Sequence, residues 1–135
     1  MGKFDNQVVI ITGTSSGIGR TTAKKFAAEG AKVVGVARRA ELQKSLEEEI
    51  AAAGGEFTGI VGDITIEADI DKVVDTTIEK YGRVDILVNN AGVVDNGYYC
   101  AIIDDARWDA CIATNLTAPM KFIRRCLQYM LKQEN

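Results

Sequence analysis

The apolar run Val8-Val9-Ile10-Ile11 passes straight into Thr12-Gly13-Thr14-Ser15-Ser16-Gly17-Ile18-Gly19. This junction constrains the fold more than any other stretch. An uninterrupted apolar run that ends in a turn reads as a strand buried on both faces. Glycines at positions 13, 17 and 19 let the backbone turn sharply into a helix with no Cβ in the way. That helix is expected from about Ile18 to Glu29, with Phe26 and Ala27 on its inner side and Gly30 at its C-terminal stop.

The alternation continues. A strand at Lys32–Val36 leads to a helix over Ala40 to Ala53, where Leu42, Leu46 and Ile50 recur every four residues before Gly54-Gly55. A third strand, Glu56–Val61, precedes the cleanest helical pattern in the chain: Ile70, Val73, Val74, Thr77, Ile78 and Tyr81 share one face, and Gly82 follows. Val84–Val88 reads as the fourth strand and Asn89–Tyr99 as a loop. Asp104 to about Lys132 reads as one long helix with Trp108, Cys111, Leu116, Phe122, Cys126, Leu127 and Met130. Strands alternating with helices across short turns imply parallel pairing and right-handed crossovers. The expected fold is α/β, a Rossmann-like doubly wound parallel sheet of about four strands in the order 3-2-1-4.

Composition narrows the function classes. The chain has 135 residues, the size of one domain, and a net charge of −3 that gives no footprint for nucleic acid or an anionic membrane. No apolar run approaches the roughly 20 residues needed to span a bilayer. Met1-Gly2-Lys3-Phe4-Asp5 is no signal peptide, and Asn6 spoils a myristoylation pattern at Gly2. Cys100, Cys111 and Cys126 have no C-x-x-C spacing, and histidine is absent. No metal site, disulfide framework or histidine triad is expected, and reduced thiols fit a cytoplasmic compartment.

The glycine turn has a chemical reading. The free N–H groups at the start of a helix, together with its dipole, favour an anion, and Ser15 and Ser16 add hydroxyls. A tight strand–helix turn with no ligand is the plainer alternative for this motif alone. It is joined, however, by Asp63 after the third strand, Asn89-Asn90-Ala91-Gly92 after the fourth, and Asn115 within the long helix. Taken together, these ordered motifs resemble the short-chain dehydrogenase/reductase family in its common classical form, over the first half of a typical member.

The resemblance implies that Gly13, Ser15, Ser16, Gly17, Ile18 and Gly19 grip the pyrophosphate of a dinucleotide cofactor. Asp63 would accept a hydrogen bond from the adenine amino group, with the Ile64 backbone beside it; a helix N-cap or loop aspartate is the alternative. Asn89, Ala91 and Gly92 would line the ribose and brace the sheet. At the end of the second strand a carboxylate would take both ribose hydroxyls of NAD and repel a 2′-phosphate. The matching position is Ala37, followed by Arg38 and Arg39. A small residue leaves room and guanidinium groups pair with phosphate, so NADP(H) is expected over NAD(H), with two solvated arginines as the alternative.

Pro119 removes the donor that would bond the Asn115 carbonyl, which predicts a local kink and an oxygen open to water. In the resembling family that asparagine holds a water in a proton relay to the catalytic lysine; a core kink without chemistry is the other reading. The family's catalytic serine and Tyr-x-x-x-Lys pair follow the long helix. Here Tyr81, Tyr98, Tyr99 and Tyr129 are followed four residues later by Asp85, Ile102, Ile103 and Gln133, so none qualifies. The expectation is the NADP(H)-binding half, residues 1–135, of an oxidoreductase that moves hydride between nicotinamide and a small-molecule alcohol or ketone. A non-catalytic nucleotide-binding module and a self-associating fragment remain alternatives. A bare fourth strand and an apolar helix face also predict a homo-oligomer. Tyr98 and Tyr99 border the pocket in this reading, or simply pack.

Overall fold

The computed structural model describes residues 2–94, 97 and 99–134. Four strands, β1 (Val8–Thr12), β2 (Lys32–Ala37), β3 (Glu56–Val61) and β4 (Ile86–Val88), form one sheet in the order β3-β2-β1-β4. Every pairing is parallel, with Ile10 opposite Val34 on one side and Leu87 on the other. The helices are α1 (Gly17–Ala28), α2 (Ala40–Ala52), α3 (Glu67–Tyr81), α4 (Asp105–Ile112) and α5 (Ala118–Met130). The architecture is the doubly wound α/β sheet that the alternation predicts.

Each face of the sheet has its own core. Val9, Ile11 and Val33 pack with Ala23 and Ala27 of α1 and with Leu46 and Ile50 of α2. On the other face Ile10, Val34 and Ile60 pack with Ile70, Val73 and Val74 of α3 and with Phe122 and Cys126 of α5. Successive side chains of β1 therefore enter opposite cores, which is why its sequence is apolar from Val8 through Ile11. Ion pairs from Arg125 to Asp71 and Asp75 join α5 to α3 at the surface.

Two expectations are corrected. The fourth strand begins at Ile86 rather than Val84 because Asp85 intervenes: its Oδ2 accepts the Val8 N–H at 2.8 Å, the donor a longer ladder would use. Val84 is instead held by Gln133, whose side-chain amide exchanges two hydrogen bonds with the Val84 backbone, each 2.8 Å. The long helix over Asp104–Lys132 is not uniformly α-helical either. A π-helical turn, Ala113–Thr117, separates α4 from α5, and the Ala118 N–H reaches back to the Ala113 carbonyl. The bulge sits just before Pro119, whose missing N–H and ring disfavour regular α-helical bonding there.

Among the described residues, no helix is long and apolar enough to cross a membrane.

Candidate functional site

The carboxyl ends of all four strands open onto one cleft of about 980 Å³. Crevices outside the C-terminal strand ends, where strand order reverses, are where open α/β sheets bind ligands. Gly13, Ser15 and Ser16 come from the glycine turn after β1, and Ala37, Arg38 and Arg39 from the end of β2. Gly62, Asp63 and Ile64 follow β3, and Asn90, Ala91, Gly92 and Val93 follow β4. Asp109, Ala113 and Thr114 of the α4–π segment complete the lining.

Close approach requires glycine at two points in the turn. Gly13 has φ +75°, and a Cβ there would stand 3.0 Å from both the Ala91 Cα and Asn90 Nδ2. At Gly19 a Cβ would stand 2.1 Å from the Gly13 carbonyl oxygen. The turn is thus folded against itself, while the space off Gly17 is open. At the start of α1 the Ser16 side chain makes no capping hydrogen bond, and the first turn holds no acidic residue. The geometry suits an external anion at this helix N-terminus. The residues present fit a bound pyrophosphate.

Opposite the turn, Arg39 Nη2 donates to Ser15 Oγ at 3.2 Å and to Ser16 Oγ at 3.1 Å. A guanidinium therefore spans from the β2 end to the glycine turn. Asp63 Oδ1 accepts from the Thr65 hydroxyl at 2.7 Å and the Thr65 N–H at 2.9 Å, so this loop aspartate organises its own turn. Those Thr65 bonds, with Arg38 nearby, hold the Asp63 carboxyl below its usual range.

The brace between β1 and β4 lies one residue past the asparagine expected from sequence. Asn90 Nδ2 donates to the Thr12 carbonyl at 3.0 Å and the Gly13 carbonyl at 3.3 Å. Thr12 Oγ1 returns the contact, accepting the N–H groups of Asn90 at 3.0 Å and Ala91 at 2.9 Å. Asn89 is exposed and stands outside the cleft lining. Two adjacent asparagines carry no signal in sequence for which one turns inward.

Gly17, Ile18 and Gly19 form the first turn of α1; Gly19 is buried, and Ile18 is 79% exposed. Asn115 lies in the π-helical turn and clamps Val93 through both of its amide atoms. Gly92 lets the loop pass, since a Cβ there would meet Asn115 Oδ1 at 3.1 Å. Tyr99 is exposed, and Tyr98 lies outside the described residues. Sequence reasoning also missed Gln43, which is buried on the apolar stripe of α2 beneath the glycine turn. Its position three and seven residues before Leu46 and Ile50 was the available signal.

Comparison with known proteins agrees with this geometry. The short chain dehydrogenase family profile matches residues 7–135. The short-chain dehydrogenase/reductase olcF of Penicillium canescens is 40% identical over 96% of this chain and 48% of its own length. The 3-oxoacyl-[acyl-carrier-protein] reductase FabG of Thermotoga maritima is 35% identical over 98% of this chain and 54% of its own. A crystal structure of a metagenomic short-chain oxidoreductase in complex with NADP superposes with a TM-score of 0.90 at 39% identity, covering 95% of this chain and 58% of that one. The chain spans about half the length of these relatives. Fold, glycine turn and profile agree: the chain belongs to the short-chain dehydrogenase family.

Proposed function

We propose that residues 1–135 form the NADP(H)-binding half of an oxidoreductase that transfers hydride between the nicotinamide and a secondary alcohol or ketone. The observation that carries this reading is the end of β2: Ala37 stands where a carboxylate would select NAD, and Arg38 and Arg39 line the cleft, Arg39 reaching Ser15 and Ser16. The two arginines would hold the 2′-phosphate, because guanidinium groups give charge-assisted bonds to phosphate oxygens. The N–H groups of Ser15 through Gly19 would take the pyrophosphate. Asp63 and Ile64 would meet the adenine, and Ala91 and Gly92, which line the cleft after β4 where Asn89 does not, the ribose. The NADP in the metagenomic neighbour and the ketone in the Thermotoga relative's name support both halves of the proposal. When bound, NADPH supplies the hydride from its nicotinamide C4. This chain's own part is to bind and orient that group, with the Asn115 carbonyl at the proton-relay position.

Substitution of the arginines tests the assignment. Arg38→Ala and Arg39→Ala are each expected to weaken NADPH binding about tenfold or more, the equivalent of about 1.4 kcal/mol for a lost charge-assisted bond, with little effect on NADH. Equal losses for both nucleotides contradict it.

A second reading, a nucleotide-binding module without chemistry, draws on the complete glycine turn and cleft formed within residues 1–135. Supplying the C-terminal half of the metagenomic relative in trans separates the two. Restored NADPH consumption with ketones supports the enzyme half, and tight binding without turnover supports the module.

We also infer self-association. Trp108, Ile112, Leu116, Met120, Ile123 and Leu127 are exposed large apolar side chains three or four residues apart, a continuous stripe along α4 and α5. Sedimentation equilibrium should show oligomers that dissociate in the Leu116→Glu/Ile123→Glu variant. A monomeric parent chain contradicts this inference.

A further inference from the structure

Beneath the cleft lies a polar pair with no counterpart in the lining. Thr14 is fully buried and Gln43 is 2% exposed. Thr14 Oγ1 donates to Gln43 Oε1 at 2.7 Å, and Gln43 Nε2 donates to the Gly35 carbonyl at 2.9 Å and the Ile60 carbonyl at 3.2 Å. The strand makes room for this: a Cβ on Gly35 would stand 2.5 Å from Thr14 Oγ1. Leucine at 43 would continue the apolar stripe of Leu46 and Ile50. A fully satisfied buried amide instead fixes geometry, because each hydrogen bond holds only in one arrangement.

The pair closes a ring around the phosphate end of the cleft. Thr14 lies between Gly13 and Ser15 in the glycine turn. Gln43 sits one turn into α2, and its N–H donates to the Arg39 carbonyl at 3.1 Å. Arg39 is the N-cap of α2, and its guanidinium returns to Ser15 and Ser16. The buried bond thus sets the gap between the glycine turn and the Arg39 guanidinium, although neither Thr14 nor Gln43 lines the cleft.

We propose that Thr14 and Gln43 are positioning residues that set the preference for a 2′-phosphorylated dinucleotide, by holding the Arg38–Arg39 turn at a fixed distance from the glycine turn. This rests on the NADP(H) reading above. The near-isosteric variants Thr14→Val and Gln43→Leu should each lower the NADPH-over-NADH affinity ratio about fivefold to tenfold, the scale of one lost hydrogen bond. The double variant should be no worse than either single one, and Thr14→Ser, which keeps the hydroxyl, should retain the parent ratio. A ratio unchanged in folded variants, or NADPH and NADH weakened together, overturns the proposal.

Hydrogen exchange without nucleotide supplies an independent arm. Amides of the turn from Ser15 to Gly17 should exchange faster in both variants, while Val73 and Val74 in α3 keep their protection. A turn whose exchange does not change overturns the clamp itself. A parent chain that binds neither nucleotide overturns the cofactor reading and the discrimination with it, and the exchange data then show whether the clamp exists without that ligand.

Discussion

Asn115 holds Val93 at both backbone groups: Oδ1 accepts the Val93 N–H at 2.8 Å, and Nδ2 donates to the Val93 carbonyl at 2.7 Å. The side-chain amide acts as a one-residue strand that pins the loop after β4 to the π-helical turn. Asn115→Ala is expected to cost about 1 kcal/mol, the low end for two hydrogen bonds at an exposed site. Exchange at the Val93 amide should rise in this variant, with the sheet unaffected. Unchanged protection at Val93 would show that the loop is held by something else.

The glycine turn permits a graded test. Gly19→Ala places a methyl 2.1 Å from the Gly13 carbonyl, a backbone atom that cannot swing aside. It should destabilise the fold by about 2 kcal/mol or more and remove nucleotide binding. Gly17→Ala meets nothing within 4 Å, and its cost is confined to the backbone at φ +58°. About 1 kcal/mol is expected there. Chemical denaturation of the two variants side by side checks the order, and equal losses would contradict the close packing at Gly19.

Thr12→Val keeps shape and removes one oxygen. That oxygen accepts the N–H groups of both Asn90 and Ala91, so the variant orphans the Ala91 donor at the junction of β1 and β4 and leaves the Asn90 N–H with the Val88 carbonyl at 3.1 Å. A loss of about 2 kcal/mol is expected by urea denaturation, against near-neutrality for a threonine that bonded nothing.

Acid should unlock the β1–β4 junction. Burial of Asp85 favours its neutral form, but the hydrogen bonds from Arg83 and the Val8 N–H outweigh it and hold the carboxyl below its ordinary range. A carboxyl whose pKa is lower in the folded than the unfolded chain stabilises the fold above the unfolded value, about 3.9, and the contribution fades as pH falls through the folded one. Melting temperature should therefore drop below about pH 4. The gap between the parent chain and Asp85→Asn should close over the same range, and a gap that persists in acid would assign it to something other than ionisation.

Much of the architecture is legible because it rests on local pattern. The stripe Ile70, Val73, Val74 and Thr77 predicts the buried face of α3, and all four side chains are buried. The run Val8 to Ile11 predicts a strand between two cores, and Ile10 enters one while Val9 and Ile11 enter the other. What sequence could not supply depends on partners distant along the chain. Asp85 shortens β4 because its carboxylate finds Val8, a contact spanning 77 positions. Asn90 rather than Asn89 turns inward because the Thr12 and Gly13 carbonyls lie on that side. The spacing of Gln43 from Leu46 and Ile50 marks the buried stripe of α2, but only the fold shows that Thr14, Gly35 and Ile60 satisfy its amide there. Pro119 announces a disturbance in the long helix, but its form, a π-helical turn over Ala113–Thr117, depends on how the helix re-bonds around it.

The most direct test of the central claim is a titration of the purified chain with NADPH, followed by nicotinamide fluorescence, with NADH titrated in parallel. Saturable binding with at least about tenfold preference for NADPH is the predicted result, the scale of one charge-assisted contact to the 2′-phosphate. Equal affinity for the two nucleotides, or no binding of either at about millimolar concentration, would contradict the reading of Arg38, Arg39 and the glycine turn as a site for a 2′-phosphorylated dinucleotide.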